Sequence, residues 1–292
     1  MPELTDAGVP GVWRDLGLPG LADVHVHFLP ERMLAKVWQY FDQAETHYGR
    51  AWPIQYRGSE EERISTLQSL GVQHFPTLCY PHKAGMAAWL NQWCVDFADE
   101  HPAAVTSGTF FAEPAAADDV RWALDQGARI FKVHVQVGGF DPADEVLDEA
   151  WGLLAEAGVP VVTHCGSGPL AGAHTGPGPI SQVLQRHPAL RLVIAHAGAP
   201  EYAEHLDLAL AYPNVMIDTT MVGTGFMNEI APIPADVLAR YRDAPTRIVL
   251  GSDFPNIPYS YAHQIQSLID WDFGDDWLRQ VLWHNGARLL GL

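Results

Sequence analysis

Eight short runs of apolar and β-branched residues recur along the chain, near 21–27, 72–79, 104–111, 129–135, 159–164, 191–196, 214–218 and 246–252, each followed by a segment of helical periodicity. This alternation limits the architecture more than any other feature. Strands joined through helices by short crossovers lie parallel, and eight such units close into a (β/α)8 TIM barrel of the α/β class. An open doubly wound sheet is the alternative, but no Gly-x-Gly-x-x-Gly follows the first run.

The helical segments carry their own punctuation. Segment 59–70 opens at Ser59 with Glu60, Glu61 and Glu62 in its first turn and stops at Gly71; segment 142–157 begins with Pro142 after Asp141 and stops at Gly158. Further helices are predicted near 86–100, 116–126, 179–187, 200–211 and 234–243, and the tail 275–292 is helical in pattern. His101-Pro102 and His187-Pro188 end helices, and Trp122 and Trp151 read as packing. Residues 28–58 hold Phe28, Trp38, Tyr40, Phe41, Trp52 and Tyr56, too aromatic for a linker; they predict a helical insertion, either a lid over the barrel mouth or a wall-thickening element. Gly166–Pro179 predicts a structured loop. With no repeat or linker in view, 1–292 reads as a single domain.

Composition excludes several function classes. Lys and Arg number 17 against 35 Asp and Glu, a formal net charge of −18 that opposes nucleic acid and anionic membrane surfaces as partners. The three cysteines, Cys79, Cys94 and Cys165, are too few and too scattered for a disulfide framework or a four-cysteine zinc site, which fits a reducing, cytoplasmic setting. The segment from Met1 to Asp6 lacks the basic flank and apolar core of a signal peptide, and no run approaches membrane-spanning length. A soluble protein is expected; a homo-oligomer is compatible with the composition.

In barrels of this kind chemistry sits at the carboxyl ends of the strands. The first run ends in His25 and His27, two residues apart and therefore on one face of an extended strand. The fourth carries Lys132 and His134, the fifth ends in His164, the sixth in His196, and the eighth leads into Asp253. Burying imidazoles and a carboxylate together is costly unless they are paired or coordinated, and this donor set suits one divalent ion: zinc first, manganese or iron as alternatives.

Asp23-Val24-His25-Val26-His27-Phe28, Thr163-His164-Cys165-Gly166, Ile194-Ala195-His196-Ala197-Gly198 and Gly251-Ser252-Asp253-Phe254-Pro255, in this order, resemble the successive signatures of the amidohydrolase superfamily. The branch is the amidohydrolase-related one, which includes aminocarboxymuconate-semialdehyde decarboxylase-like enzymes, and the likeness extends to Trp283-His284-Asn285-Gly286-Ala287-Arg288-Leu289-Leu290. It implies that His25, His27 and His164 bind a metal, with Asp253 as ligand or adjacent base and His196 as a catalytic histidine. Lys132 has three readings: a cation for a substrate carboxylate beside a single metal, a carbamylated bridge to a second metal, or a structural partner of Asp23 or Asp218. His134, and His82 in Tyr80-Pro81-His82-Lys83, are candidate substrate contacts, and Asp218 is expected to hydrogen-bond a neighbour of the site.

The resemblance implies a metal-dependent hydrolase of an amide, ester or lactone in a small, carboxylate-bearing organic acid. A nonoxidative decarboxylase of the same family is the alternative, and a non-catalytic metal-binding protein the third reading.

Overall fold

The computed structural model describes residues 3–292; Met1 and Pro2, where the segment read as lacking a signal peptide begins, lie outside the described residues. The strands are β1 (Phe75–Pro76), β2 (Ala104–Val105), β3 (Ser107–Thr109), β4 (Ile130–His134), β5 (Val161–His164), β6 (Leu192–Ile194), β7 (Val215–Asp218) and β8 (Ile248–Val249). The chain forms two compact units, one of residues up to Phe75 with Thr219–Leu290 and Leu292, the other of Pro76–Asp218 with Gly291.

In the unit Pro76–Asp218, β3 to β7 pair in chain order, each parallel to the next, with Gly108 opposite Phe131, His134 opposite His164, Thr163 opposite Ile194 and Ile194 opposite Ile217. The helices Ala116–Asp125, Asp148–Ala157, Pro177–Arg186 and Tyr202–Ala211 fill the crossovers, as parallel pairing requires. Covered on both faces, the strands are almost wholly buried, which is why they read as unbroken apolar runs. The run at 104–111 divides into β2 and β3. A Cβ at Gly108 would stand 2.5 Å from the Phe131 ring, which would have to shift to admit it.

Helix limits follow the sequence signals closely, with one difference. His101 and His187 cap their helices as expected, but the segment predicted from Pro142 becomes helical at Glu145 and α-helical only at Asp148. Local hydrogen bonds compete there: Ala143 N–H donates to Asp141 Oδ1 at 2.9 Å, and the Pro142 carbonyl accepts Trp151 Nε1–H at 2.9 Å. Trp151 is packing, as predicted, whereas Trp122 is 36% exposed and stays on the surface.

In the other unit the helix Glu60–Leu70 has the expected capping box between Ser59 and Glu62 and ends at Gly71 in a left-handed conformation. Residues 28–58 do form helices, Glu31–Phe41 and Ala44–Tyr48. Their aromatics are fastened to the segment after Asp253: Trp38 Nε1–H donates to Asn256 Oδ1 at 3.0 Å, and Trp52 Nε1–H to the Asn256 carbonyl at 2.7 Å.

The run at 21–27 is extended but forms only one isolated bridge, Val26 to Phe254. Its amides at Val24 and His27 reach the carbonyls of Leu250 and Phe254, three residues apart on one side and four on the other. The extra residue is a bulge at 251–253, and bulges re-aim side chains beside functional sites.

Candidate functional site

The bulge organises the first cluster. Asp253 takes a left-handed conformation, φ 69°, which a non-glycine residue adopts only when its surroundings hold it there. Its N–H donates to the His25 carbonyl at 2.9 Å, and its own carbonyl accepts the Asn256 N–H at 2.9 Å. The Asp253 carboxylate is thereby turned toward the two histidines. Oδ1 lies 3.0 Å from His27 Nε2 and 3.6 Å from His25 Nε2, and the two Nε2 atoms are 3.2 Å apart.

These three atoms fit a metal. Bonds of ~2.1 Å to zinc set the ligand atoms of a tetrahedron about 3.4 Å apart, close to the spacings seen here. Both rings are buried, His25 completely. A hydrogen bond between His25 Nδ1 and Thr220 Oγ1, 3.0 Å, orients the ring and leaves Nε2 to the ion, the usual arrangement behind a metal-binding imidazole. Nearby, burial first and then the Asp253 charge push the Tyr259 phenol well up, so it remains a neutral donor.

Asp23 stands behind this cluster, fully buried. Its Oδ1 accepts the N–H of His25 at 3.0 Å and of Ser252 at 3.2 Å, and its Oδ2 accepts the Tyr261 hydroxyl at 2.9 Å.

The second cluster belongs to the unit Pro76–Asp218. Register places His134 and His164 side by side at the ends of β4 and β5, and their rings stack 3.9 Å apart at 12°. The His196 ring lies 4.7 Å from that of His164. His164 Nε2 is hydrogen-bonded to the Gly168 carbonyl at 2.9 Å, so Nε2 carries the proton, and a metal held by this ring would take Nδ1. His196 and Ala197 are both left-handed, φ 54° and 48°, and the His196 N–H donates to Asp218 Oδ1 at 2.7 Å. That is the neighbour expected for Asp218.

Lys132 shares the His134 face of β4 and is 1% exposed. Cys165 points the other way, its Sγ 3.8 Å from His205 Nε2, and burial, opposed in part by the Lys132 charge, pushes its thiol up to about 12. It stays a neutral thiol rather than a nucleophile. Cys79 and Cys94 are buried as well. His82 and Lys83 are exposed in the turn after Tyr80.

Sequence reasoning missed Thr220, which bonds His25, and Tyr261, which bonds Asp23 behind it. A hydroxyl reaching the cluster from a loop or helix leaves no periodic signal.

The family profile described as Amidohydrolase matches residues 22–292. The chain belongs to that family. No curated protein matches it significantly. Among solved structures, this amidohydrolase resembles an uncharacterised TIM-barrel protein from Bordetella bronchiseptica, with 19% identity and TM-score 0.72 over 93% of this chain and 98% of that one. It also resembles 5-carboxyvanillate decarboxylase from Novosphingobium aromaticivorans, solved with manganese and 3-methoxy-4-hydroxy-5-nitrobenzoic acid: 14% identity, TM-score 0.63, covering 95% and 98% of the two chains. A third likeness is to a protein described as a probable 2-pyrone-4,6-dicarboxylic acid hydrolase from Acinetobacter baumannii, with citric acid bound: 14% identity, TM-score 0.60, covering 94% and 100%.

At these identities the likeness carries the fold. The amidohydrolase chain is an α/β protein of the TIM-barrel type with an aromatic-rich insertion after its first apolar run at 21–27, and the doubly wound alternative falls away. Its structural neighbours include a decarboxylase and a protein described as a probable hydrolase. Among the described residues no helix is long and apolar enough to cross a membrane.

Proposed function

We propose that this amidohydrolase is a metal-dependent hydrolase of an amide, ester or lactone bond in a small, carboxylate-bearing organic acid. The reading rests on the convergence of His25 Nε2, His27 Nε2 and Asp253 Oδ1 within 3.0 to 3.6 Å of one another. His25, His27 and His164 hold one divalent ion, zinc, manganese or iron, with Asp253 as the fourth protein group. When bound, the ion supplies Lewis-acid polarisation of the scissile carbonyl and acidifies water. Asp253 accepts the proton of the attacking water and returns it to the departing nitrogen or oxygen as the C–N or C–O bond breaks. His196 orients the carbonyl. Lys132 holds the substrate carboxylate, with His134 and the rim residue His82 as further contacts; carbamylation of Lys132 would instead bring a second ion. Residues 1–292 act as one domain with 28–58 as its lid, in a reducing cytoplasmic setting.

The likeness to a manganese-bound decarboxylase favours a second reading, nonoxidative decarboxylation. There Asp253, in its acid form, protonates the substrate carbon as the bond to the carboxylate breaks and carbon dioxide leaves.

The test is a panel of carboxylate-bearing lactones, amides and hydroxybenzoates assayed in H2(18)O with metal-loaded protein. Hydrolysis places the heavy oxygen in the product carboxylate. Carbon dioxide release without a hydrolysis product selects the second reading, and turnover that is indifferent to metal overturns both.

A further inference from the structure

We propose that Tyr261 is a positioning residue for the metal-ligand cluster, acting through Asp23 to hold the ends of the first and eighth strand segments in the bulged register that aims Asp253 at His25 and His27. The inference rests on the metal-site reading above and extends it to a residue outside the ligand set.

A single buried carboxylate ties both ligand-bearing segments. Asp23 Oδ1 accepts the N–H of His25, itself a proposed ligand, at 3.0 Å and the N–H of Ser252, the residue before Asp253, at 3.2 Å. In a regular parallel ladder the Ser252 amide would bond a backbone carbonyl of the neighbouring strand. Here the side chain of Asp23 takes that amide, and the ladder resumes one residue later, where the Asp253 N–H reaches the His25 carbonyl. The extra residue is what places the Asp253 carboxylate on the histidine face, since a one-residue slip in a strand reverses the face of every side chain that follows. The left-handed φ of 69° at Asp253 is sustained by these bonds.

Tyr261 fixes Asp23 in turn. Its hydroxyl donates to Asp23 Oδ2 at 2.9 Å, leaving Oδ1 directed at the two amides. Burial, and then the Asp23 charge, push the phenol well up, so it remains a donor. The residue is itself anchored at the start of the helix Tyr261–Asp270, whose cap is Ser260. Its N–H donates to the Tyr56 hydroxyl, which donates to Asp6 Oδ2 at 2.6 Å, and Asp6 Oδ1 accepts the Ala262 N–H at 2.9 Å. The chain of contacts runs from the insertion and the N-terminal segment through Tyr261 and Asp23 to the ligand backbone. Substituting phenylalanine removes one oxygen and little volume.

The experiment measures zinc and manganese affinity of the full-length protein by competition with a chromophoric chelator, for wild type, Tyr261→Phe, Tyr56→Phe and the control Tyr202→Phe. Alongside, hydrogen exchange of peptides covering 22–28 and 249–255 and the melting temperature of the metal-free proteins are recorded. Tyr261→Phe is expected to bind metal about 10–100-fold more weakly, as loss of groups supporting metal ligands commonly does. Exchange should quicken in both peptides, Tyr56→Phe should show a smaller loss, and Tyr202→Phe should match wild type. Wild-type affinity in Tyr261→Phe overturns the inference and leaves the metal-site reading standing. So does a lowered metal-free melting temperature with unchanged affinity, the mark of a merely structural role. A wild-type protein that binds no ion overturns the metal-site reading, and this inference with it. If Tyr261→Phe does not fold, Tyr56→Phe decides on the same readouts.

Discussion

Asp253 meets His25 twice: its backbone N–H donates to the His25 carbonyl at 2.9 Å, and its carboxylate Oδ1 stands 3.6 Å from Nε2 of the same histidine. The backbone contact sets the side-chain contact, because a left-handed residue in a bulge turns its side chain to a face that a regular strand would deny it.

Asp253→Asn keeps the shape of the side chain and removes its ability to take a proton. Turnover at saturating metal should fall by about 10²–10⁴-fold, with a wild-type circular dichroism spectrum.

Chelation should abolish activity, and added zinc, manganese or iron should restore it. Because an ion bound only by the folded state stabilises it, about 2.7 kcal/mol at a concentration a hundredfold above Kd, the metal-loaded protein should melt several degrees above the chelated form. Calorimetry with parallel elemental analysis checks both.

Gly166 follows the His164-Cys165 pair, and a Cβ there would stand 2.6 Å from the Ala199 carbonyl oxygen and 2.7 Å from Gly198 C. Both are backbone atoms, which yield less readily than a flexible side chain. Gly166→Ala should cost about 1–3 kcal/mol in urea denaturation.

Burial, then the charges of Glu113 and Asp118, push the Asp119 carboxyl from 3.8 up to about 6. Between those values the folded protein holds a proton that the unfolded chain has released, so stability falls as pH rises through this window and the deficit is complete above it. Asp119→Asn should therefore melt higher than wild type at pH 8, and the advantage should shrink at pH 5.

Arg63 is 5% exposed, and its Nε and Nη1 have no hydrogen-bond partner among the described residues. The guanidinium lies 5.4 Å from the Phe28 ring and 5.5 Å from that of Trp38, and burial depresses its pKa. Ring contacts offset only part of the desolvation. Arg63→Met should stabilise the fold by about 1 kcal/mol, read as a higher melting temperature.

Much of this was legible along the chain. The strand–helix alternation, the box from Ser59 to Glu62, the stop at Gly71 and the pairing of His25 with His27 on one face are local: each depends on residues within a turn or two, and periodicity records it. The same locality marked His164, His196 and Asp253 as the residues that end strands or begin their loops. The start of the helix expected at Pro142 was missed because Asp141 and Trp151 offer the backbone competing partners.

Other features depend on contacts that no local pattern carries. The bulge at 251–253, the left-handed Asp253, the stacked rings of His134 and His164, the Thr220 bond to His25 and the Tyr261 bond to Asp23 join residues 30 to 238 positions apart. Residue type and spacing nominate the donors of a metal site. Which atoms converge depends on the register between neighbouring strands and on buried hydrogen bonds, whose partners are brought together only when the chain folds.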